Sequence, residues 1–388
     1  MSALIAGAVE PGFEPVADAF VRAFDGHERM GAALSIRVGG RAVIDLHGGV
    51  RDVRTAEPWT PETASVIFSC TKGLAALLAA RLVQEGRLDY DAPVAHYWPE
   101  FAAAGKEGVL VRHVLAHRSG LSAPDVDLST EDILDWSTVT SALAAQRPLW
   151  EPGEAYAYHA ITQGWLVGEV VRRIVGTSVG DYFRDAVTAP LGVDAWIGLP
   201  PEQEHRVAHL TVGPTLRGLV DRQTAERDPS QIDWLDRAMT LGAALPATLV
   251  EDTEGFNDPR LHAAQIPAAG GIATASALAT IWSATVVDEG GMRLLDDATL
   301  DRALEVQTSG APHFAAPPPW PRWGMGFQLD SEARRYLTGA SFGHDGAGGQ
   351  VSFADPVHGV GFAFLTNVME AEDPRATRII DALRACLS

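Results

Sequence analysis

The run from Lys72 to Val83, Lys-Gly-Leu-Ala-Ala-Leu-Leu-Ala-Ala-Arg-Leu-Val, is apolar on almost every side of a helix. A helix without a polar face has to lie inside the protein, so the fold must surround it. Its first residue is nevertheless a lysine. Lysine is scarce here: of 30 basic side chains only Lys72 and Lys106 are lysines. Burying an ammonium at the head of such a helix is costly unless the chemistry uses it. Ser69 stands three residues earlier, on the same helical face, with its hydroxyl near the positive end of the helix dipole. Ser69 and Lys72 therefore read as a nucleophile beside a base.

The rest of the chain suggests how that helix is enclosed. Residues 14–25 alternate at helical spacing. Ala33–Val38 and Arg41–His47 are short β-like runs joined by Gly39-Gly40, a hairpin signal. From about residue 90 to 270 the chain reads as helices and Pro/Gly-punctuated loops, and Thr211–Asn257 has no clear pattern. A helix is expected near Ser276–Val287 and strands over Gly324–Leu329, Gln350–Ala354 and Gly359–Leu365. An amphipathic helix, Arg375–Leu387, closes the chain. Strands at both ends imply one sheet built from residues 1–90 and 270–388. A mainly helical domain, 91–269, is inserted into it, and the active site is expected in the crevice between them.

A net charge of −20 argues against nucleic acid or an anionic membrane as partner. No stretch reaches the ~18 apolar residues of a transmembrane helix. The first twelve residues lack the basic and apolar regions of a signal peptide, so the expectation is a cytoplasmic protein. Cys70 and Cys386 are too far apart in sequence to suggest a disulfide framework. The oligomeric state is left open.

A Ser–Lys pair needs a third polar group to relay a proton and two N–H donors for an oxyanion. Pro152-Gly153 makes a turn, after which an extended segment presents Tyr158 just before a helix beginning near Thr162. Phe342-Gly-His-Asp-Gly-Ala-Gly-Gly349 sets His344 in a Gly-rich stretch leading into a strand, where backbone N–H groups can approach a ligand closely.

In order along the chain stand Ser69-x-x-Lys72, Leu115-Ala-His-Arg-Ser-Gly-Leu121, Pro152-Gly-x-x-x-x-Tyr158, Pro267-Ala-Ala-Gly-Gly-Ile-Ala-Thr274 and His344-x-Gly346-Ala347. With these, the chain from about residue 15 onward resembles the serine β-lactamase and penicillin-binding-protein superfamily. Within it, the chain is most similar to the class C β-lactamase-like esterases called family VIII carboxylesterases. The resemblance implies an α+β fold, an antiparallel sheet flanked by helices plus a helical domain. It also implies Ser69 as the acylated serine, Lys72 and Tyr158 as the groups sharing its proton, and an oxyanion hole of the Ser69 and Ala347 N–H groups, Ala347 lying on an edge strand. His344 and Gly346 would support or bind substrate.

Two positions depart from the penicillin-recognising pattern. Ala160 stands where those relatives have Asn, and His344-Asp345-Gly346 where they have Lys-Thr-Gly. Both lost groups help hold a β-lactam, so the expected activity is hydrolysis of small carboxylic esters without metal or organic cofactor. The alternatives are β-lactam or amide and peptide hydrolysis, acyl transfer, or an acylated sensor that does not turn over.

Other patterns carry less. Gly176-Thr-Ser178-Val-Gly180 fits a nucleophile elbow, but a helix rather than a strand precedes it, so Gly176 reads as a C-cap and Ser178 as an N-cap. His113/His117 and His205/His209 have i,i+4 spacing but no H-E-x-x-H glutamate, and no metal site is expected. Trp320 and Trp323 either line an acyl or alcohol pocket or pack the entry to a strand.

Overall fold

The fold is described by a computed structural model covering residues 4–388; the first three residues of the expected 1–90 segment lie outside the described residues. In chain order its strands are β1 Ile5–Val9, β2 Gly31–Val38, β3 Arg41–Asp52, β4 Glu57–Pro58, β5 Ser65–Val66, β6 Ala195–Ile197 and β7 Thr211–Val212. Then come β8 Gly271–Ala273, β9 Arg322–Trp323, β10 Gln328–Leu329, β11 Phe342–Asp345, β12 Val351–Asp355, β13 Val360–Thr366 and β14 Val368–Met369.

Nine of these form one antiparallel sheet in the order β1-β3-β2-β13-β12-β11-β10-β9, with β4 paired to β3. The centre of the sheet joins the two ends of the chain: β2 pairs with β13 from Ala32↔Thr366 to Val38↔Val360. Gly39 and Gly40 turn the β2–β3 hairpin with φ of +58° and +78°, which the tight two-residue turn requires.

Alternation along β13 explains the layers. Val360, Phe362 and Phe364 point to a core shared with Val16 and Phe20 of the helix Glu14–Arg22 and with Ile379 and Leu383 of Arg375–Cys386. Ala363 and Leu365 point to the opposite core, with Trp282 of the helix Ala275–Val286 and Leu74 of Cys70–Gln84. The sheet is thus covered by helices on both faces.

The helix Cys70–Gln84 is central, as its composition requires: 12 of its 15 residues are buried. Arg81 escapes by reaching the Leu294 carbonyl at 3.0 Å. Beyond it the chain is largely helical but contributes β6 to a small antiparallel sheet, β5-β8-β6, and β7 to a parallel pair with β14. The patternless stretch 211–257 holds the helices Pro214–Glu226 and Trp234–Thr240. The strand expected over Gly324–Leu329 is instead the hairpin β9–β10, because the chain reverses where Gly324 N–H donates to the Phe327 carbonyl at 2.9 Å.

Lys106 is also buried. Its ammonium donates to the carbonyls of Ala103 (2.8 Å), Ala144 (2.9 Å) and Gln146 and lies over the Phe101 ring, a structural cation with all three donors used. Among the described residues no helix is long and apolar enough to cross a membrane.

Candidate active site

Three short links fix the start of the central helix. Ile67 N–H donates to the Gly271 carbonyl at 2.9 Å, Gly271 N–H donates to Thr71 Oγ1 at 2.9 Å, and Thr71 Oγ1 donates to the Phe68 carbonyl at 2.6 Å. Phe68 adopts φ +44°, sparsely populated for a bulky residue, immediately before Ser69. This kink leaves the half-buried Ser69 at the helix start with Lys72 one turn on.

Lys72 Nζ lies 3.0 Å from Ser69 Oγ and donates to the carbonyls of Ala160 at 2.6 Å and Ala268 at 3.0 Å. The side chain is fully buried, and that burial pushes its pKa well below the ordinary 10.5, favouring the neutral amine. A neutral amine has two protons and one lone pair. The two carbonyls take the protons, which leaves the lone pair facing Ser69 Oγ. From the other side Tyr158 Oη donates to Ser69 Oγ at 2.8 Å. Burial raises the Tyr158 phenol above its ordinary 10, so it stays protonated. The serine oxygen sits between a proton acceptor and a proton donor.

Tyr158 is wedged among rings. Trp323 stacks on it with centroids 5.7 Å apart and 17° between planes, His117 lies 4.9 Å away and His344 6.1 Å. His344, on β11, donates from Nδ1 to the Asp345 carbonyl at 2.8 Å, and burial lowers its pKa to about 3, so the ring is uncharged. Its own carbonyl accepts the Cys70 thiol at 3.1 Å, tying β11 to the central helix.

Ala347 departs from the expected edge strand. It opens the short turn Ala347–Gly349 after β11, and β11 is interior because the β9–β10 hairpin covers its outer side. Gly346 brings this turn close to the start of the central helix: a Cβ there would come 2.4 Å from the Ile67 carbonyl oxygen, two residues before Ser69. Arg375 braces the turn from behind, donating to the Gly348 carbonyl at 3.2 Å. Among the described residues the N–H groups of Ser69 and Ala347 have no acceptor.

The structure thus gathers Ser69, Lys72, Tyr158, His344, Gly346 and Trp323 around one point, with Ala347 on the adjoining turn. It leaves Trp320 aside, half-buried and donating to the Ala316 carbonyl at 2.9 Å. Gly176 closes the helix Thr162–Val175, and Ser178 caps the next by accepting the Asp181 N–H at 3.1 Å. His205 turns to the Glu202 carbonyl and His209 toward Asp252, so these two do not converge. His113 lies against the Leu110 N–H, while His117 joins the Tyr158 cluster. Sequence reasoning missed the Ala160 and Ala268 carbonyls, since main-chain acceptors have no side-chain signature; only the Pro267–Thr274 motif marked the second.

The chain matches the β-lactamase family over residues 17–385. It is 33% identical to the esterase/β-lactamase LipL of Mycobacterium tuberculosis over 370 residues, 93% of this chain and 82% of that protein. A crystal structure of a family VIII carboxylesterase superposes with a TM-score of 0.87 at 33% identity, covering 99% of this chain and all of the other. A penicillin-binding-protein homologue from Caulobacter crescentus superposes with a TM-score of 0.86 at 35% identity, again over 99% of this chain and all of the other.

Proposed function

The chain belongs to the β-lactamase family, and from that premise we propose that it is a serine carboxylesterase acting through an acyl-enzyme on Ser69. The observation that carries this is the placement of Ser69 Oγ between Lys72 Nζ at 3.0 Å and Tyr158 Oη at 2.8 Å. Ser69 Oγ attacks the ester carbonyl while the Lys72 lone pair takes its proton. The Ser69 and Ala347 N–H groups receive the oxyanion. Tyr158 protonates the departing alcohol and regains a proton from the Lys72 ammonium. Water then attacks the acyl-enzyme with Lys72 again as base, Ser69 Oγ recovers its proton, and the carboxylic acid leaves.

Esters of short or medium acyl chains are favoured over β-lactams because the groups replacing the penicillin-recognising ones are uncharged: His344 is neutral and Ala160 offers only its carbonyl, already used by Lys72. Ser69→Ala should abolish hydrolysis of p-nitrophenyl butyrate and Ser178→Ala leave it nearly intact; the opposite result would sink the assignment. The name of the Mycobacterium tuberculosis relative pairs esterase with β-lactamase, so slow β-lactam hydrolysis is the second reading. Nitrocefin turnover measured beside an ester chain-length series ranks the two.

A further inference from the structure

The segment Leu115–Leu121 has no part in the steps above, yet it packs directly under Tyr158. His117 is fully buried with a left-handed backbone, φ +64°. Its carbonyl accepts the Ala157 N–H at 3.2 Å and its Nδ1 accepts the His159 N–H at 3.2 Å, so it grips the residues on both sides of Tyr158. Its ring lies 4.9 Å from the Tyr158 ring and 4.9 Å from Trp323, the indole stacked on the phenol's face. Two residues on, Ser119 Oγ lies 2.8 Å from His159 Nε2, while His159 Nδ1 donates to the Ala157 carbonyl at 2.7 Å.

We infer that His117, seconded by Ser119, is the positioning residue that aims the Tyr158 hydroxyl at Ser69 and at the departing alcohol. One bond to the His117 carbonyl and one to its Nδ1 fix where the tyrosine backbone runs, and the His117 and Trp323 rings fix how its ring is turned. A buried neutral imidazole suits the task, since Nδ1 must accept a hydrogen bond; burial holds His117 far below its ordinary pKa of 6.5. The strained backbone is the sort of conformation that persists only where the surroundings impose it.

This inference rests on the reading of Tyr158 as proton donor, and leaving-group dependence tests both separately. p-Nitrophenolate departs without protonation, whereas an alkoxide does not. The value of kcat/KM, which reports acylation, is compared for p-nitrophenyl acetate and ethyl acetate in wild type, Tyr158→Phe, His117→Phe and His117→Asn. Tyr158→Phe should be damaged mainly on the ethyl ester. His117→Phe keeps a ring but loses the acceptor, and should lose about 10-fold or more on the ethyl ester and no more than about 2-fold on the p-nitrophenyl ester. His117→Asn offers an acceptor and tolerates the left-handed backbone, and should restore the ethyl ester rate. If His117→Phe does not fold, Ser119→Ala carries the test, with the same selectivity and a smaller loss. Equal losses on both esters, or none, overturn the role of His117 when Tyr158→Phe is selective. If Tyr158→Phe is itself unselective, the proton-donor reading fails and this inference with it.

Discussion

The Ala160 carbonyl oxygen accepts a hydrogen bond from Lys72 Nζ at 2.6 Å, so the amine facing Ser69 is held by main chain. The residue that departs from the penicillin-recognising pattern in its side chain thus still serves the site through its backbone. With the Ala268 carbonyl on its second proton, Lys72 has one direction left for its lone pair.

The acid limb of the activity profile should therefore belong to Lys72. Its pKa is depressed by burial, and a protonated amine is no base, so kcat/KM should rise with pH through that depressed value. Burial lowers His344 to about 3 and His159 to about 4, so both rings are uncharged at neutral pH. His344→Gln should leave the midpoint of the limb in place; a midpoint that moves by about a unit in that variant would reassign it.

Stability should show the same burial from the other side. The folded-state pKa of Lys72 lies below the unfolded value near 10.5, so between the two the unfolded chain binds the extra proton. The penalty is complete below that window and fades as pH rises through it. Lys72→Met should be inactive but more stable than wild type at pH 6, by about 1 kcal/mol or more, with the advantage shrinking toward pH 10. Urea unfolding at several pH values measures this, and an advantage that grows with pH contradicts it.

Removing one N–H tests the proposed oxyanion hole without disturbing the fold. Gly346 has φ −107° and ψ +153°, the extended conformation that precedes proline, and Ala347 is the first residue of its turn, where proline fits. Since the Ala347 N–H has no acceptor among the described residues, Ala347→Pro should unfold at the same urea concentration as wild type. Its kcat should fall roughly 100- to 1,000-fold, the usual effect of losing one such donor. Full activity in that variant would remove Ala347 from the site.

Cys70 adjoins Ser69 yet should be inert. Burial pushes its thiol up to about 12, and the thiol donates to the His344 carbonyl, so the reactive thiolate is nearly absent at pH 8. Iodoacetamide at pH 8 should leave esterase activity intact over hours. Rapid inactivation that Cys70→Ser prevents would show the thiol to be accessible and ionised.

What was legible in the sequence was local. The central helix announced its burial by having no polar face, and Gly39-Gly40 announced a hairpin by turn chemistry. The strand Ile5–Val9 was not seen because it is an edge strand with three exposed residues of five. The helix Pro214–Glu226 buries no residue fully and so has little apolar periodicity to read. The sheet β5-β8-β6 is made of pieces two or three residues long, with Ser65 paired to Ala273 far along the chain, and such pairing leaves no local mark. At the site, side chains with unusual spacing stood out, whereas the carbonyls that steer Lys72 and the turn that carries Ala347 did not.

Both lysines of this chain are buried, one at the nucleophile and one inside a cage of three carbonyls. Of the lysine and arginine charge, the exterior therefore carries guanidinium and no side-chain ammonium. Reagents that couple to primary amines (succinimidyl esters, aldehydes, cyanate) find neither lysine side chain accessible on the folded chain. Glutaraldehyde would therefore be a poor cross-linker through these lysines. With Ser69 acylated as proposed, neither lysine side chain stands outward to capture a stray acyl group.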